Sequence, residues 1–386
     1  MHVRTGLERL LADPDLVPGR RWGMLTNYTA TTTDLEFAPA AIRRVTDRLV
    51  ALLGPEHGVR GAVQAGFSEQ TAVDDETGLP IADTYRHVGA DLDRLIASHD
   101  LDVIVADLQD VGTRFYTYAW SVIDCMRSAA RLGIPFVVLD RPNPIGGGAA
   151  GPGLVPECAS FVGREDIPIR HGMTLGELAR EIAARDAASG NPSDVTVIEM
   201  RRWRHRMTWA DTGLPWVMPS PNMPTPDTAR AFPCTGLFEG TNLSEGRGTT
   251  RPFELVGAPW LPVTFADELN ARELPGVRFR RADFTPTFSK HAGEHCVAVQ
   301  VHVTDHGAFE PVRTGVSMLH ALHERCPDEF AWLQPGRGQP ATRFFVDLLW
   351  GSEQLRTGLA DGASVDDVLV RSPLAAANLT GPLYPA

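Results

Sequence analysis

The sequence has very little lysine and no tract of basic residues. Lys290 is its single lysine among 36 basic residues, which excludes lysine-dependent catalysis almost everywhere in the chain. The formal net charge is −12, and a nucleic-acid surface needs clustered cations to meet phosphates. We therefore expect no nucleic-acid partner.

Cysteine is also scarce, and its spacing forms no recognisable pair. The five cysteines lie far apart, are odd in number and form no CxxC motif. This spacing favours reduced thiols in a reducing compartment over a disulfide framework or a zinc site. The histidines are scattered too, so metal binding has only weak support.

Several signals of location and mechanism are missing. No stretch approaches the roughly 20 apolar residues of a membrane span, and the N-terminus lacks the apolar region of a signal peptide. We therefore expect no membrane association and a cytoplasmic location. The glycine-rich run at residues 146–153 matches neither GxGxxG nor GxxxxGK[ST], which disfavours a nucleotide site. The absence of GxSxG disfavours a hydrolase with a nucleophile elbow.

The segment 101–144 predicts the centre of the fold. Apolar runs at 103–106 and 136–139 flank a helical pattern that extends to about residue 132. Short continuous runs of this kind are typical of parallel strands that are buried on both faces. Asp107, Asp110 and Asp140 lie just past the two strands, at the sheet edge where α/β proteins bind ligands.

The remaining pattern predicts an α/β protein with two domains. We expect a strand at 21–26, a helix at 38–53, a shaped loop at 54–61, and a helix that Thr174 and Glu177 begin with a capping box. Strands are expected at 195–200 and 296–303, and helices at 311–326 and 351–359. Because a chain of this length exceeds one ordinary core, we predict domains at 1–260 and 261–386.

The polar loop residues suit carbohydrate chemistry. Glycoside hydrolysis typically needs two carboxyl groups, one to protonate the leaving oxygen and one to act as nucleophile or base. Acids on predicted loops supply that number, and the long polar loop at 238–250 adds donors suited to sugar hydroxyls or a carboxylate. The pattern alone does not choose among the acids, because ion pairs often imitate sites.

Longer motifs carry a resemblance to a known family. They are GPEHG at 54–58, DLQDVGTRFYTY at 107–118, DRPNP at 140–144, SFVG at 160–163, RHGMT at 170–174, FEGTN at 238–242 and SEGRGT at 244–249. In this order they resemble the exo-β-N-acetylmuramidase (NamZ-type) family, over nearly the whole chain.

The resemblance implies a cofactor-independent glycosidase that releases N-acetylmuramic acid (MurNAc) from the non-reducing end of fragments such as MurNAc-GlcNAc. It implies a Rossmann-like parallel-sheet domain, a smaller α/β C-terminal domain and a site in the cleft between them. By motif, Glu56 is the expected catalytic acid, and the second carboxyl comes from Asp110, Asp140, Glu239 or Glu245. The residues expected to line the sugar site are Asn27, His57, Arg60, Arg114, Tyr116, Asn143, His171, Asn242, Glu245 and Arg247. An arginine fork suits the lactyl carboxylate of MurNAc.

Two departures from the family pattern keep alternatives open. Ala150 and Arg127 stand where the family usually has glutamate. If either glutamate were the second catalytic group, the protein would be a binding or sensing module for peptidoglycan-derived sugars or muropeptides. A third hypothesis is a metal-dependent hydrolase that uses Asp107, Asp110 and His171. The absence of an export signal favours the recycling of imported cell-wall sugars, and the oligomeric state is not predicted.

Overall fold

The structure is a computed structural model that describes residues 2–64, 66, 72–334, 343–372, 375, 378 and 380–386. Its strands are β1 (Trp22–Thr26), β2 (Leu49–Gly54), β3 (Ile81–Asp83), β4 (Val103–Asp107), β5 (Phe136–Leu139), β6 (Val195–Ile198), β7 (Leu255–Ala258), β8 (Val277–Phe284) and β9 (Cys296–Val303). Its α-helices are α1 (Gly6–Ala12), α2 (Ala38–Val45), α3 (Gly89–Ala97), α4 (Tyr118–Leu132), α5 (Leu175–Ala188), α6 (Trp209–Thr212), α7 (Pro226–Thr235), α8 (Phe265–Asn270), α9 (Pro311–Arg325), α10 (Phe345–Trp350), α11 (Gln354–Ala360) and α12 (Val365–Arg371).

A six-stranded parallel sheet forms the larger part of the fold. Its strand order is β3-β2-β1-β4-β5-β6, and each neighbouring pair is parallel. The side chains of β4 alternate between two hydrophobic clusters. Val103 and Val105 pack on the face covered by α1 and α2, whereas Ile104 and Ala106 pack on the face covered by α3, α4 and α5. Because both faces are buried, the strand sequence is continuously apolar.

The parallel arrangement positions the candidate site. The carboxyl ends of all six strands meet at one edge, so the loops that follow β2, β3 and β4 emerge side by side. This confirms the prediction of a Rossmann-like α/β fold with acid-bearing loops at that edge.

A smaller antiparallel sheet completes the architecture. Its order is β7-β9-β8, and β9 forms at the predicted residues, with Val299 and Val301 packed in the core. Strand β7 lies before residue 261, yet it pairs with β9. The boundary between residues 260 and 261 stays a prediction.

The predicted helix at 38–53 is wrong in its second half. The helix ends at Val45, and Leu49–Gly54 forms β2, which pairs with β1 and β3. A short apolar run fits a buried strand or a buried helix equally well, so only its partners decide. The predicted helix at 351–359 begins instead at Gln354, because Gly351 ends the preceding helix with a φ of +96°.

The predicted capping box at the start of α5 is confirmed. Thr174 accepts from the Glu177 amide, and the Glu177 carboxylate accepts from the Thr174 amide. All five cysteines are free and buried. Among the residues that the structure describes, no helix is both long enough and apolar enough to cross a bilayer.

Candidate active site

The loop that follows β2 carries Glu56 into a cavity. Glu56 lies two residues beyond the end of β2 and is only 7% exposed. One of its carboxyl oxygens accepts from the Gly66 amide at 2.7 Å, and the other accepts from the Thr117 hydroxyl. Thr117 directly precedes α4, where the helix dipole favours negative charge. These contacts orient both oxygens of the carboxyl group.

The same loop is tightly shaped rather than a solvated surface turn. His57 has a φ of +70°, and its Nδ1 lies 2.8 Å from the Val63 carbonyl oxygen. A Cβ atom at Gly61 would lie 1.9 Å from the Tyr28 ring, at a φ of +69°. The close approach of this ring requires glycine at that position. The shaped loop predicted at 54–61 is therefore held in place by its own contacts and by Tyr28.

Glu56 and His57 open onto a cavity of about 640 Å³. Aromatic rings form a large part of its walls, and a few polar groups face it, as in many sites for small ligands. Segments distant in the sequence supply these rings, which are Tyr85, Phe115, Tyr116, Tyr118, Phe161, Phe232, Phe253 and Phe345.

A second carboxyl group, that of Glu239, faces the same cavity. Glu239 accepts from Nη2 of Arg247 at 2.6 Å, and Nε of Arg247 lies 3.1 Å from Glu245. The guanidinium carbon of Arg247 lies 4.9 Å from the Phe253 ring centroid. Lys290 closes the cluster with an ion pair of 2.8 Å to Glu245. Glu239 is the member of this cluster that presents a carboxyl group to the cavity.

The pKa values of the two acids in this cluster are shifted in opposite directions. Burial raises the pKa of Glu239, against the opposing charge of Arg247. Burial also disfavours ionised Glu245, but the charges of Lys290 and Arg247 outweigh it and lower the pKa of Glu245. Divergent pKa values of neighbouring acids are typical of acid/base sites. Glu245 forms an ion pair with Arg247 but does not line the cavity.

The structure brings five predicted site residues to the cavity: Glu56, His57, Tyr116, Glu239 and Arg247. It places the others elsewhere. Asp110 and His171 form a buried pair at 3.2 Å, in which Asp110 also accepts from the Gly112 amide and His171 accepts from the Met173 amide. This pair fastens two loops to each other.

Asp140 is a buried structural hub. It accepts hydrogen bonds from the hydroxyls of Thr174 and Tyr384 and from the amides of Gly176 and Arg141. Burial raises its pKa to about 6. Its carboxyl group does not line the cavity.

Arg114 does not line the sugar site, contrary to the expectation from its motif. It is fully buried and donates to four carbonyl oxygens, those of Pro152, Ile167, Leu349 and Trp350, at 2.6–3.0 Å. Burial lowers its pKa to about 9. Its Nη1 and Nη2 donors tie a loop of the larger sheet to the C-terminal helices, and the side chain, including its unpartnered Nε, is buried away from the cavity.

Arg60 and three asparagines are also committed to protein contacts. Arg60 pairs with Asp74 and Glu76. The Asn143 side chain joins the Met173 carbonyl to the Ile145 amide, and the Asn242 side chain joins the Glu329 carbonyl to the Ala331 amide. The Asn27 side-chain oxygen accepts from Thr29. None of the four lines the cavity.

The two departures from the family pattern lie away from the cavity. Arg127 pairs with Glu165 and Asp186 at 2.8 Å each and lines a different depression. Ala150 forms a backbone bridge with Arg170. Neither position faces Glu56, so neither supplies a catalytic group to this cavity.

The metal hypothesis finds no geometric support. Asp107 is bound by Arg141, while Asp110 and His171 bind each other. Across the described ranges, no group of three or more His, Cys, Asp or Glu side chains is placed to hold a metal ion.

Several residues that line the cavity were not predicted from the sequence. Tyr85 and Arg86 had no motif to single them out. Phe232 and Phe345 come from distant helical segments, and only the tertiary fold brings them to Glu56. Tyr118 and Phe161, in contrast, lie inside the motifs quoted above.

The fold and the cavity together define a class. The carboxyl edge of a Rossmann-like sheet presents Glu56, and the segment after α7 brings Glu239 to the same cavity, so the protein has the two carboxyl groups of a typical glycosidase.

Comparison with known proteins shows the family. The sequence pattern described as "Exo-beta-N-acetylmuramidase NamZ, N-terminal" matches residues 22–227, and its C-terminal counterpart matches residues 230–372. The peptidoglycan beta-N-acetylmuramidase NamZ of Bacillus subtilis strain 168 is 44% identical over 371 residues, which cover 95% of this chain and 86% of that protein. The chain therefore belongs to the exo-β-N-acetylmuramidase NamZ family.

Two crystal structures share the fold. Both are DUF1343 family proteins from Bacteroides fragilis NCTC 9343. One has a TM-score of 0.84 at 33% identity and covers 95% of this chain and 94% of its own. The other has a TM-score of 0.71 at 28% identity and covers 96% and 94%.

Proposed function

We propose that this protein is an exo-acting β-N-acetylmuramidase that removes MurNAc from the non-reducing end of peptidoglycan fragments such as MurNAc-GlcNAc, in cell-wall recycling or turnover. Its family makes it a glycosidase. The observation that carries the proposal is the presence of two glutamates, Glu56 and Glu239, in one aromatic cavity of about 640 Å³.

In the proposed reaction, Glu56 protonates the glycosidic oxygen as the bond to the leaving GlcNAc breaks. The Thr117 hydroxyl and the Gly66 amide hold the carboxyl group in place, so little reorganisation accompanies proton transfer. Glu239 acts on the opposite side of the sugar, as a nucleophile or as the base for an attacking water.

Arg247 supports the second role. It binds Glu239 at 2.6 Å, and a charge-assisted contact of this kind stabilises the carboxylate form that either role needs. The raised pKa of Glu239 acts against that form. The dependence of the rates of Glu56→Gln and Glu239→Gln on the leaving group distinguishes the acid from the nucleophile or base.

The test of the function is hydrolysis of two substrates without added metal. Purified protein is incubated with MurNAc-GlcNAc and with a chromogenic β-MurNAc glycoside, and the matching β-GlcNAc glycoside is the control. Release of MurNAc from the first two alone supports the proposal. Calorimetric binding of MurNAc-GlcNAc without cleavage would replace the enzyme with a sensing protein.

A further inference from the structure

The two arginines that line the cavity have different surroundings. Arg247 is neutralised by Glu239 and Glu245. Arg86, in contrast, forms no ion pair with any carboxylate of the described residues, and its side chain is exposed at the cavity. The cavity therefore holds one guanidinium whose charge the described part of the chain leaves unmatched.

The loop that follows β3 holds Arg86 close to Glu56. The amide and the hydroxyl of Thr84 both donate to the Gly54 carbonyl, at 2.9 and 2.8 Å. Gly54 ends β2, two residues before Glu56. Because β2 and β3 are adjacent parallel strands, these hydrogen bonds keep the two loops side by side.

Tyr85, the residue before Arg86, also lines the cavity. Burial raises the pKa of the Tyr85 hydroxyl to about 12; the Glu56 charge adds to this increase and the Arg86 charge opposes it. Arg86 therefore lines the same cavity as Glu56, on the loop that Thr84 fastens to the end of β2.

The backbone and the Tyr85 ring present the guanidinium to the cavity. Arg86 has a φ of +62°, in the left-handed region that non-glycine residues rarely adopt. Such strain persists only where the surroundings impose it, and it concentrates at functional sites. The guanidinium carbon lies 5.0 Å from the Tyr85 ring centroid, a stacked arrangement that leaves the edges of the fork open to a ligand.

We propose that Arg86 is a specificity-determining residue that binds the lactyl carboxylate of the MurNAc ring beside Glu56. This inference rests on the proposed function. In an exo-acting enzyme, the released sugar occupies the position next to the general acid. MurNAc differs from GlcNAc by a lactyl ether that carries one carboxylate, and a guanidinium fork can bind both oxygens of that group.

The other arginines that the motifs assigned to the sugar site are already committed to protein partners. Arg247 is held by two glutamates, Arg114 donates to four carbonyl oxygens, and Arg60 pairs with Asp74 and Glu76. A substrate carboxylate at any of these positions would have to displace an existing partner.

The test compares Arg86→Gln and Arg86→Lys with the wild type on two chromogenic substrates. One is the β-MurNAc glycoside, and the other is its lactyl carboxamide, which has the same size without the charge. Gln at position 86 meets the same backbone strain as Arg. Arg94→Gln is the matched control, because Arg94 lies on α3, is 73% exposed and pairs with Asp91 at a distance from the cavity.

For the carboxylate substrate, Arg86→Gln is expected to raise KM roughly 10- to 100-fold with kcat nearly unchanged. Arg86→Lys retains the charge but not the forked guanidinium, so its KM should lie between that of the wild type and that of Arg86→Gln. The carboxamide should be a weak substrate for the wild type and should lose nothing further in Arg86→Gln. Equal losses on both substrates, or no loss on either, would overturn the proposal.

A binding measurement separates this proposal from the reaction itself. Calorimetry with free MurNAc and free GlcNAc is carried out on the wild type and on Arg86→Gln. If the wild type binds MurNAc through Arg86 but cleaves neither glycoside, the recognition stands and the proposed reaction fails. If cleavage is normal while Arg86→Gln binds and cleaves as the wild type does, only the role of Arg86 fails.

Discussion

Replacement of Glu56 by glutamine is the most direct test of the reaction. The substitution removes the transferable proton but keeps the size of the side chain. Its carbonyl oxygen can still accept from the Gly66 amide, and the Thr117 hydroxyl can rotate to accept from the new NH₂ group. We therefore expect the fold to persist, which a thermal melt within a few degrees of the wild type would show.

General acid catalysis typically contributes 10²–10⁴-fold to the rate, which corresponds to about 3–5.5 kcal/mol of transition-state stabilisation. Because the leaving GlcNAc hydroxyl is a poor leaving group, Glu56→Gln should lose this full factor on MurNAc-GlcNAc. A 4-nitrophenyl β-MurNAc glycoside needs little protonation, so its loss should be much smaller. Glu324→Gln is the control, since Glu324 is 59% exposed and pairs with Arg272 and His320, which do not line the cavity.

The assay is release of MurNAc from the disaccharide and of nitrophenol from the glycoside, measured as kcat and kcat/KM at several pH values. A drop of less than tenfold on MurNAc-GlcNAc would refute Glu56 as the acid. Equal, large losses on both substrates would instead assign Glu56 to the nucleophile or base.

Three further predictions concern other parts of the structure. Glu239→Gln should lower the rate of hydrolysis roughly 10²–10⁴-fold for both leaving groups, with partial rescue by azide. A loss confined to the poor leaving group would mean that Glu239 is the acid and Glu56 the nucleophile or base. Arg114→Met should lower the free energy of unfolding in urea by about 3 kcal/mol or more, because four buried carbonyls lose a donor. A change below about 1 kcal/mol would contradict the structural role of Arg114. Burial raises the pKa of Asp140 from 3.8 to about 6, so its contribution to stability is full below about pH 4 and is lost as pH rises through 6, about 3 kcal/mol in all. The difference in unfolding free energy between wild type and Asp140→Asn should therefore change across that range, and a flat difference would refute the assignment.

The sequence carried much of the fold because its signals are local. Continuous apolar runs predicted β4 and β5, since strands buried on both faces have no polar side. The capping box at Thr174 predicted the start of α5, since its two hydrogen bonds form within four residues. The glycines and proline at 54–61 predicted a shaped loop, and the resemblance to the family singled out Glu56 within it.

Where the signal was not local, the sequence misled. The run that became β2 suited a helix until its partners β1 and β3 were known. Arg114 suited a substrate carboxylate until the fold surrounded it with carbonyl oxygens from segments up to 236 residues away. Arg86, which the cavity exposes, lay in no motif at all.

By itself, then, the sequence determined the α/β class, the carboxyl edge as the place of the loops, and the family, because periodicity, capping and motif order are written along the chain. The tertiary structure alone decided which polar residues face the cavity and which are used inside. That choice depends on burial and on hydrogen-bond partners that distant segments supply. For this reason Asp140 and Arg114 became structural hubs, while Glu56, Glu239 and Arg86 are open to a substrate.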